Sequence, residues 1–259
     1  MNATGTGDAT RVRVDPIERL YAMTRPHPSH GPGSHPLFIV LEGIDGSGTT
    51  TQLDLLAQHL RARGRAALAT REPSTGPVGR LLREALLGQH RDLSGAPIDG
   101  RAMALLFAAD RRDHLVREIE PALASGSDVV SDRYLLSSLA YQAVEADRLW
   151  VQKLAEGVRV PDLTLLLDLP TDVAAERRRR AGRVDERYDA DATLNRVAEN
   201  YRRLAASAHD GAPAAATGGI ALGPVVLLDA TGTVEAVERA IAAEVDRLID
   251  AQVEAAIRP

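Results

Sequence analysis

The chain has 259 residues, 44% of them hydrophobic and 26% charged, which is typical of a globular protein that buries one full core. Its net charge of −5 excludes a general attraction to nucleic acid or anionic lipid, so any anion site must be local. The absence of cysteine excludes disulfides, thiolate metal sites and cysteine nucleophiles.

Residues 1–36 are rich in Gly, Pro, Thr and His, a composition that cannot bury a core and predicts a disordered N-terminal tail. His27, His30 and His35 lie close enough in sequence to leave a metal site open, although a solvated tail is favoured. The segment lacks the apolar core of a signal peptide, and no apolar run in the chain approaches membrane-spanning length. We therefore expect a cytoplasmic protein with one domain at 37–259, acting on neither membranes nor nucleic acid.

From residue 37 onward, short apolar runs alternate with segments of helical periodicity. The predicted strands are 37–42, 66–70, 128–131, 163–169 and 225–228. The predicted helices are 50–63, 78–87, 101–123, 135–146, 149–158, 171–180, 191–206 and 233–257. A loop at 89–98 and a flexible insertion at 207–223, rich in Ala and Gly, complete the pattern. Because helical crossovers join parallel strands, we predict an α/β fold with a parallel five-stranded sheet and helices on both faces.

The first predicted strand runs into a glycine-rich turn and then a helix. The spacing Gly43-x4-Gly48-x-Thr50 fits the P-loop template G-x-x-x-x-G-K-[ST] except at Thr49, where the template has lysine. In such a loop, backbone N–H groups and the positive end of the helix face a phosphate group. The loop taken alone leaves a purely structural turn as the alternative.

Charged residues also follow the other predicted strands. Ligands of parallel sheets bind at the carboxyl ends of the strands, so these side chains should converge on the glycine loop. Such a collection of cations, carboxylates and backbone amides suits phosphoryl transfer. A run of four arginines alone would favour a solvated helix face or a small RNA-binding patch, but its place after the fourth strand favours phosphate. The residues concerned are Arg71, Glu72, Asp132, Arg133, Asp168 and the arginine-rich segment 177–187.

Seven short segments, in this order and spacing, resemble the bacterial thymidylate kinases. They are Glu42–Gly48, Thr70–Pro73, Leu105–Arg111, Ser131–Tyr134, Ser137–Gln142, Pro161–Asp168 and Leu228–Thr231. The resemblance spans Leu37 to about Ile241 and leaves out the tail, the loop at 89–98 and the insertion. It implies a P-loop kinase fold with a helical lid at about 177–190, transfer of the γ-phosphoryl of ATP to dTMP with Mg²⁺, and a homodimer.

The resemblance also implies a set of residues on the donor side. Mg²⁺ is expected at Thr50 and Asp132, directly or through water. In some members of the family the catalytic arginine lies in the lid rather than in the loop. This chain resembles those members, because Gly46 occupies the loop position. The expected catalytic residues are Asp45, Arg133, Arg177, Arg180 and Arg183. The expected ATP-binding residues are Gly43, Ile44, Asp45, Gly46, Ser47, Gly48, Thr49, Thr50 and Thr51.

On the acceptor side, the resemblance implies that Asp45 accepts a hydrogen bond from the 3′-hydroxyl of dTMP and that Tyr141 presses against C2′. Phe107 would stack on the thymine ring, although its helical spacing among Leu and Ala also fits a core residue. The other implied contacts are Glu72 near the acceptor phosphate and metal, Arg83 and Arg111 at base and phosphate, Arg133 at the transferring phosphate, and Ser137, Ser138 and Gln142 near the base.

Thr49 departs from the family pattern. An ammonium ~4 Å from a phosphate oxygen contributes about 4 kcal/mol at an effective dielectric of 20, before solvent compensates. That energy corresponds to roughly three orders of magnitude in rate, which an arginine, a water or Mg²⁺ could recover. An active dTMP kinase is therefore the first hypothesis. The alternatives are a nucleotide-binding protein without useful catalysis and a kinase for another deoxynucleotide such as dUMP.

Overall fold

A parallel five-stranded sheet forms the centre of the computed structural model, which describes residues 35–182, 186–209 and 220–257. The strand order is β2-β3-β1-β4-β5, and every adjacent pair is parallel. This confirms the predicted sheet. The strands are β1 (Phe38–Gly43), β2 (Ala67–Arg71), β3 (Asp128–Asp132), β4 (Leu163–Asp168) and β5 (Val225–Asp229).

Helices cover both faces of the sheet, as predicted. α1 packs against β1, β2 and β3 and against α9, whereas α8 packs against α5, β4 and β5. The helices are α1 (Thr49–Ala62), α2 (Pro77–Leu86), α3 (Gly100–His114), α4 (Glu120–Ala124), α5 (Leu135–Tyr141), α6 (Arg148–Leu154), α7 (Thr171–Arg180), α8 (Asp191–His209) and α9 (Val234–Ile257). Among the described residues, no helix combines the length and apolar character needed to span a bilayer.

The strand β1 lies at the centre of the sheet, and all six of its residues are buried. Its neighbours are β3 on one side and β4 on the other, so the chain reverses its direction of winding at β1. Open parallel sheets bind their ligands at the carboxyl ends of the strands beside such a reversal. The glycine loop that follows β1 therefore lies where a ligand site is expected.

Two predicted helices are interrupted in the structure. The predicted helix 101–123 comprises α3, a π-helical turn at Leu115–Ile119 and α4. Pro121 lies in the first turn of α4 and has no backbone N–H to donate to the preceding turn. The hydrogen-bond pattern of the helix changes there, and the periodicity of the apolar residues alone does not reveal that change. The predicted helix 135–146 ends as an α-helix at Tyr141 and continues as a 3₁₀ turn through Val144.

The two segments predicted to be flexible lie mostly outside the described residues. Of the tail 1–36, residues 35 and 36 are described, and the backbone carbonyl of His35 accepts a hydrogen bond from Arg65 Nη2 at 3.2 Å. Of the insertion 207–223, residues 207–209 belong to α8, which is longer than the predicted helix 191–206. Residues 210–219 lie outside the described chain.

Candidate active site

The glycine loop between β1 and α1 is a tight turn with two residues in left-handed backbone conformation. Gly46 has φ 95° and Gly48 has φ 98°, values that favour glycine strongly. Gly48 is the N-cap residue of α1, and the first turn of α1 receives no side-chain cap from the described residues. The uncapped N–H groups of this 14-residue helix therefore remain available to an anion.

An open cavity lies directly over this loop, and its empty space of about 1080 Å³ includes open solvent. Its walls are the loop itself, the side chains of Arg133, Arg177 and Arg178, and the segment 232–234 that leads into α9. Backbone N–H groups on one side and guanidinium groups on the other are an arrangement suited to a chain of phosphates.

A second, smaller cavity lies beside the first and shares Asp45 and Arg133 with it; its empty space of about 540 Å³ also includes open solvent. Phe107 contributes to its apolar wall and is half-buried, since it also packs against the hydrophobic core. Phe107 is therefore both a residue of the core surface and part of the pocket wall. An apolar pocket with a few polar groups suits a nucleobase.

Asp45 lies where the two cavities meet and holds side chains from two other elements. Its Oδ1 accepts a hydrogen bond from Arg133 Nη2 at 3.0 Å, and its Oδ2 accepts one from the Tyr141 hydroxyl at 2.9 Å. The Arg133 guanidinium also stacks over the Tyr141 ring, 5.1 Å from its centroid. Burial raises the pKa of Tyr141, so its hydroxyl stays protonated and acts as a donor at neutral pH.

Glu72 and Arg111 form a buried ion pair at the base of the second cavity. Arg111 Nη2 donates to Glu72 Oε2 at 2.8 Å, to the carbonyl of Tyr134 at 2.9 Å and to Ser138 Oγ at 2.7 Å. The arginine is thereby fixed by three partners from different parts of the chain. Arg83 lies nearby, where its Nη1 donates to the backbone carbonyls of residues 73 and 74.

Gln142 carries a buried side-chain oxygen, Oε1, that has no hydrogen-bond partner among the described residues. The residue lines the second cavity. Buried polar atoms are nearly always hydrogen-bonded, so an unpaired acceptor in a pocket wall is suited to an N–H donor of a ligand. Ser137 also lines this cavity, but its hydroxyl already contacts Glu42 and Tyr201.

Comparison with known proteins points to one family. The thymidylate kinase family model matches residues 41–212. A probable thymidylate kinase of Thermococcus kodakarensis is 44% identical over 173 residues, covering 65% of this chain and 84% of the relative. The thymidylate kinase of Burkholderia vietnamiensis is 42% identical over 186 residues, covering 66% and 84% respectively. That of Synechococcus sp. is 44% identical over 181 residues, covering 65% and 83%. The chain belongs to the thymidylate kinase family.

In this member of the thymidylate kinase family, Thr50 and Asp132 fit a magnesium site. Thr50 Oγ1 donates to Asp132 Oδ2 at 2.7 Å, while Oδ1 of the same buried carboxylate has no hydrogen-bond partner in the described part of the chain. Mg²⁺ commonly takes one or two protein ligands together with waters and phosphate oxygens. It therefore does not need a cluster of three or more His, Asp or Glu side chains, and the described residues contain none.

The predicted lid arginines occupy different environments. Arg177 Nη2 donates to the carbonyls of Thr231 and Gly232 at 3.3 and 3.2 Å, so it lies at the edge of the first cavity. Arg180 pairs with Glu176, and its side chain is 78% exposed. Arg183 lies outside the described residues. The structure thus brings Arg177, but not Arg180, to the glycine loop.

Sequence reasoning missed two groups, one that lines the first cavity and one that contacts Ser137 in the wall of the second. One is Arg178, which is buried and donates from Nη1 to the backbone carbonyl of Asp45 at 2.8 Å. It follows the buried Ala174 by four residues and so lies on the same face of α7, but only the structure shows that this face is the buried one.

The other is Glu42, whose burial raises the pKa of its carboxyl group. Its Oε1 accepts hydrogen bonds from the backbone N–H groups of Tyr134 and Ser137, and its Oε2 contacts the hydroxyls of Ser137 and Tyr201. The carboxyl group thereby joins β1 to the start of α5 and to α8. In the sequence, this role was indicated by a charged residue within an otherwise apolar strand.

Proposed function

We propose that this protein is a dTMP kinase, which transfers the γ-phosphoryl group of ATP to dTMP and yields dTDP and ADP. One observation carries the proposal: a cavity built to hold phosphates joins a smaller, partly apolar cavity, and Asp45 and Arg133 belong to both. A phosphate chain in the first cavity and a nucleotide in the second would place donor and acceptor phosphates on either side of Arg133.

In the acceptor cavity, Phe107 would stack on the thymine ring and the unpaired Oε1 of Gln142 would accept a hydrogen bond from the base. Arg111 is held by Glu72 and Ser138 and so faces the pocket in a fixed orientation. We assign Arg111 and Arg83 to the base and phosphate of dTMP, with Glu72, Ser137 and Ser138 as supporting contacts.

The sugar would lie against Tyr141, whose hydroxyl is fixed by Asp45. In this position the Tyr141 ring presses on C2′ and leaves no room for a ribose hydroxyl, while the Asp45 carboxylate accepts a hydrogen bond from the 3′-hydroxyl. The preference for a deoxy sugar then depends on a side chain whose rotation is restrained by a hydrogen bond.

Phosphoryl transfer requires mainly positioning and charge stabilisation, since the transferring group passes between two fixed oxygens. The loop 43–51 would hold the phosphates of ATP through its backbone N–H groups, and Arg133 would neutralise charge that develops between donor and acceptor. Bound Mg²⁺, held by Thr50 and Asp132, would supply further charge neutralisation on the donor phosphates. Among the lid arginines, we assign Arg177, which lines the first cavity, to the same task.

A coupled assay of ADP release across nucleoside monophosphates tests this function. We expect turnover with dTMP to exceed that with dUMP, although one methyl group in an apolar pocket contributes only ~1 kcal/mol of discrimination. Binding of dTMP without ADP release would favour a nucleotide-binding protein that lost catalysis with the loop lysine. Turnover with another deoxynucleotide in preference to dTMP would reassign the acceptor.

The assembly and location follow from the family resemblance and are part of the proposal. We propose a homodimer in the cytoplasm, with ATP and dTMP as its small-molecule partners and no nucleic acid. Light scattering coupled to size-exclusion chromatography measures the assembly directly, and a monomer at micromolar concentration would contradict the dimer.

A further inference from the structure

The loop of this protein lacks the cation that its sequence template supplies. Thr49 occupies the position of the P-loop lysine and is buried, with 6% of its surface exposed. A threonine hydroxyl carries no charge. If the first cavity binds phosphates, positive charge must come from another part of the chain, and three arginines among the described residues line this cavity: Arg133, Arg177 and Arg178.

Two of the three make their hydrogen bonds to groups other than the backbone of the glycine loop. Arg133 contacts the Asp45 carboxylate and stacks on Tyr141, which places it at the boundary with the acceptor cavity. Arg177 donates to backbone carbonyls of the segment that precedes α9. Neither hydrogen bond is made to the backbone of the glycine loop.

Arg178 is bonded to the loop itself. Its Nη1 donates to the carbonyl oxygen of Asp45 at 2.8 Å, and its Nε lies 3.5 Å from Asp189 Oδ1. The residue is only 9% exposed, whereas the neighbouring Arg179 and Arg180 side chains are 72% and 78% exposed. A buried arginine is uncommon, because its charge must be compensated by partners or by a bound anion.

The packing of α7 on the loop explains how Arg178 arrives there. Ala174 is fully buried, and a Cβ atom built on Gly46 would lie 2.4 Å from the Ala174 carbonyl oxygen. The backbone of α7 therefore lies directly against the loop. Residue 178 follows residue 174 by four positions, so it extends from the same face of the helix, one turn further along.

We propose that Arg178 provides the positive charge on the ATP phosphates that lysine provides in the P-loop template. This inference rests on the proposed function. A guanidinium group has five N–H donors in one plane, so it can bond the Asp45 carbonyl and a phosphate oxygen at the same time. The charge that the loop lacks at residue 49 is thus delivered by the helix packed against it.

The test combines substitutions at residues 178 and 49. Arg178→Gln removes the charge and keeps a polar amide group, and Arg179→Met on the exposed side of α7 is the matched control. Binding of AMP-PNP with Mg²⁺ is measured by isothermal titration calorimetry, alongside kcat and the KM for dTMP. Thermal melting of each variant verifies that it is folded.

We expect Arg178→Gln to weaken AMP-PNP binding at least about tenfold and to lower kcat, because a hydrogen bond to a charged group is lost. The KM for dTMP should change less than threefold (roughly 0.6 kcal/mol), and Arg179→Met should behave as wild type. Thr49→Lys should restore affinity for AMP-PNP in the Arg178→Gln background but raise it little in wild type. This result would exclude a merely structural defect at residue 178, because a lysine at residue 49 would not repair such a defect.

Wild-type affinity and kcat in Arg178→Gln would overturn the inference, as would equal effects of Thr49→Lys in both backgrounds. If Arg178→Gln does not fold, Arg178→Lys replaces it. That variant keeps the charge and should retain most of the affinity, and a loss as large as that expected for glutamine would reject the role. Failure of the proposed function has a different signature, since wild type would then bind AMP-PNP yet transfer nothing to dTMP.

Discussion

Two glycines of the same loop offer a matched test of the contact between α7 and the loop. Gly46 and Gly48 have almost the same φ, 95° and 98°. A Cβ atom on Gly46 would lie 2.4 Å from the Ala174 carbonyl oxygen, whereas a Cβ atom on Gly48 would have nothing but its own chain neighbours within 4 Å in the described part of the protein. Substitution by alanine therefore imposes the same backbone strain at both positions but a steric clash at only one.

The magnitudes separate the two variants. Left-handed backbone costs about 1–2 kcal/mol for an alanine, and both variants should lose this much stability. A contact of 2.4 Å to a backbone atom cannot be relieved by a side-chain rotation, so α7 must move away from the loop. Such overpacking adds about 1–3 kcal/mol, which gives a total loss of about 2–5 kcal/mol for Gly46→Ala.

Urea unfolding of both variants measures the difference, with the slope m expected to stay constant. Displacement of α7 should also withdraw Arg178 from the loop, so Gly46→Ala should weaken AMP-PNP binding more than Gly48→Ala does. Equal losses of stability in the two variants would refute the close packing of α7 on the loop.

Three further predictions concern other parts of the molecule. Tyr141→Ala should reduce the preference for dTMP over its ribonucleotide counterpart, measured as a ratio of kcat/KM, while Tyr141→Phe, which keeps the ring, should preserve it. Unchanged discrimination in Tyr141→Ala would exclude the contact with C2′. Because burial raises the pKa of Glu42, the folded protein binds more protons than the unfolded chain between pH 4.5 and that raised value, so stability falls as pH rises through this window. Glu42→Gln, which resembles the protonated form, should flatten this slope in melting curves recorded from about pH 5 to about pH 8, and an unaltered slope would contradict the assignment. Removal of residues 1–34, which spares His35, should leave melting temperature and activity close to those of the full chain, given the composition of the segment. A large fall in either would mean that the tail packs on the domain.

The sheet could be predicted from the sequence because its signals are local. The apolar runs of β1 and β4 are bounded by turn residues, and strands joined by helices must pair in parallel. The position of the cavity beside β1 then follows from the general rule for such sheets. The strand order β2-β3-β1-β4-β5 was not predicted, because the pairing of the strands depends on long-range packing. The π-helical turn at 115–119 did not follow, because the sequence there keeps the periodicity of an ordinary helix.

The candidate site could be predicted in part for the same reason. Residues that lie directly after strands, such as Asp45 and Arg133, were found because the carboxyl ends of parallel strands share one edge. Residues that act through long-range packing were not. Arg178 was indistinguishable in sequence from its three arginine neighbours, and only the burial of Ala174 against Gly46 separates it from them.

The measurement that tests the central claim most directly is the fate of the γ-phosphoryl group itself. The protein is incubated with Mg²⁺, dTMP and ATP labelled at the γ-phosphorus, and the products are separated by chromatography. If the two cavities hold donor and acceptor as proposed, the label appears in dTDP in amounts equal to the ADP formed. Label found only in inorganic phosphate, or only in unreacted ATP while dTMP remains bound, would contradict the transfer.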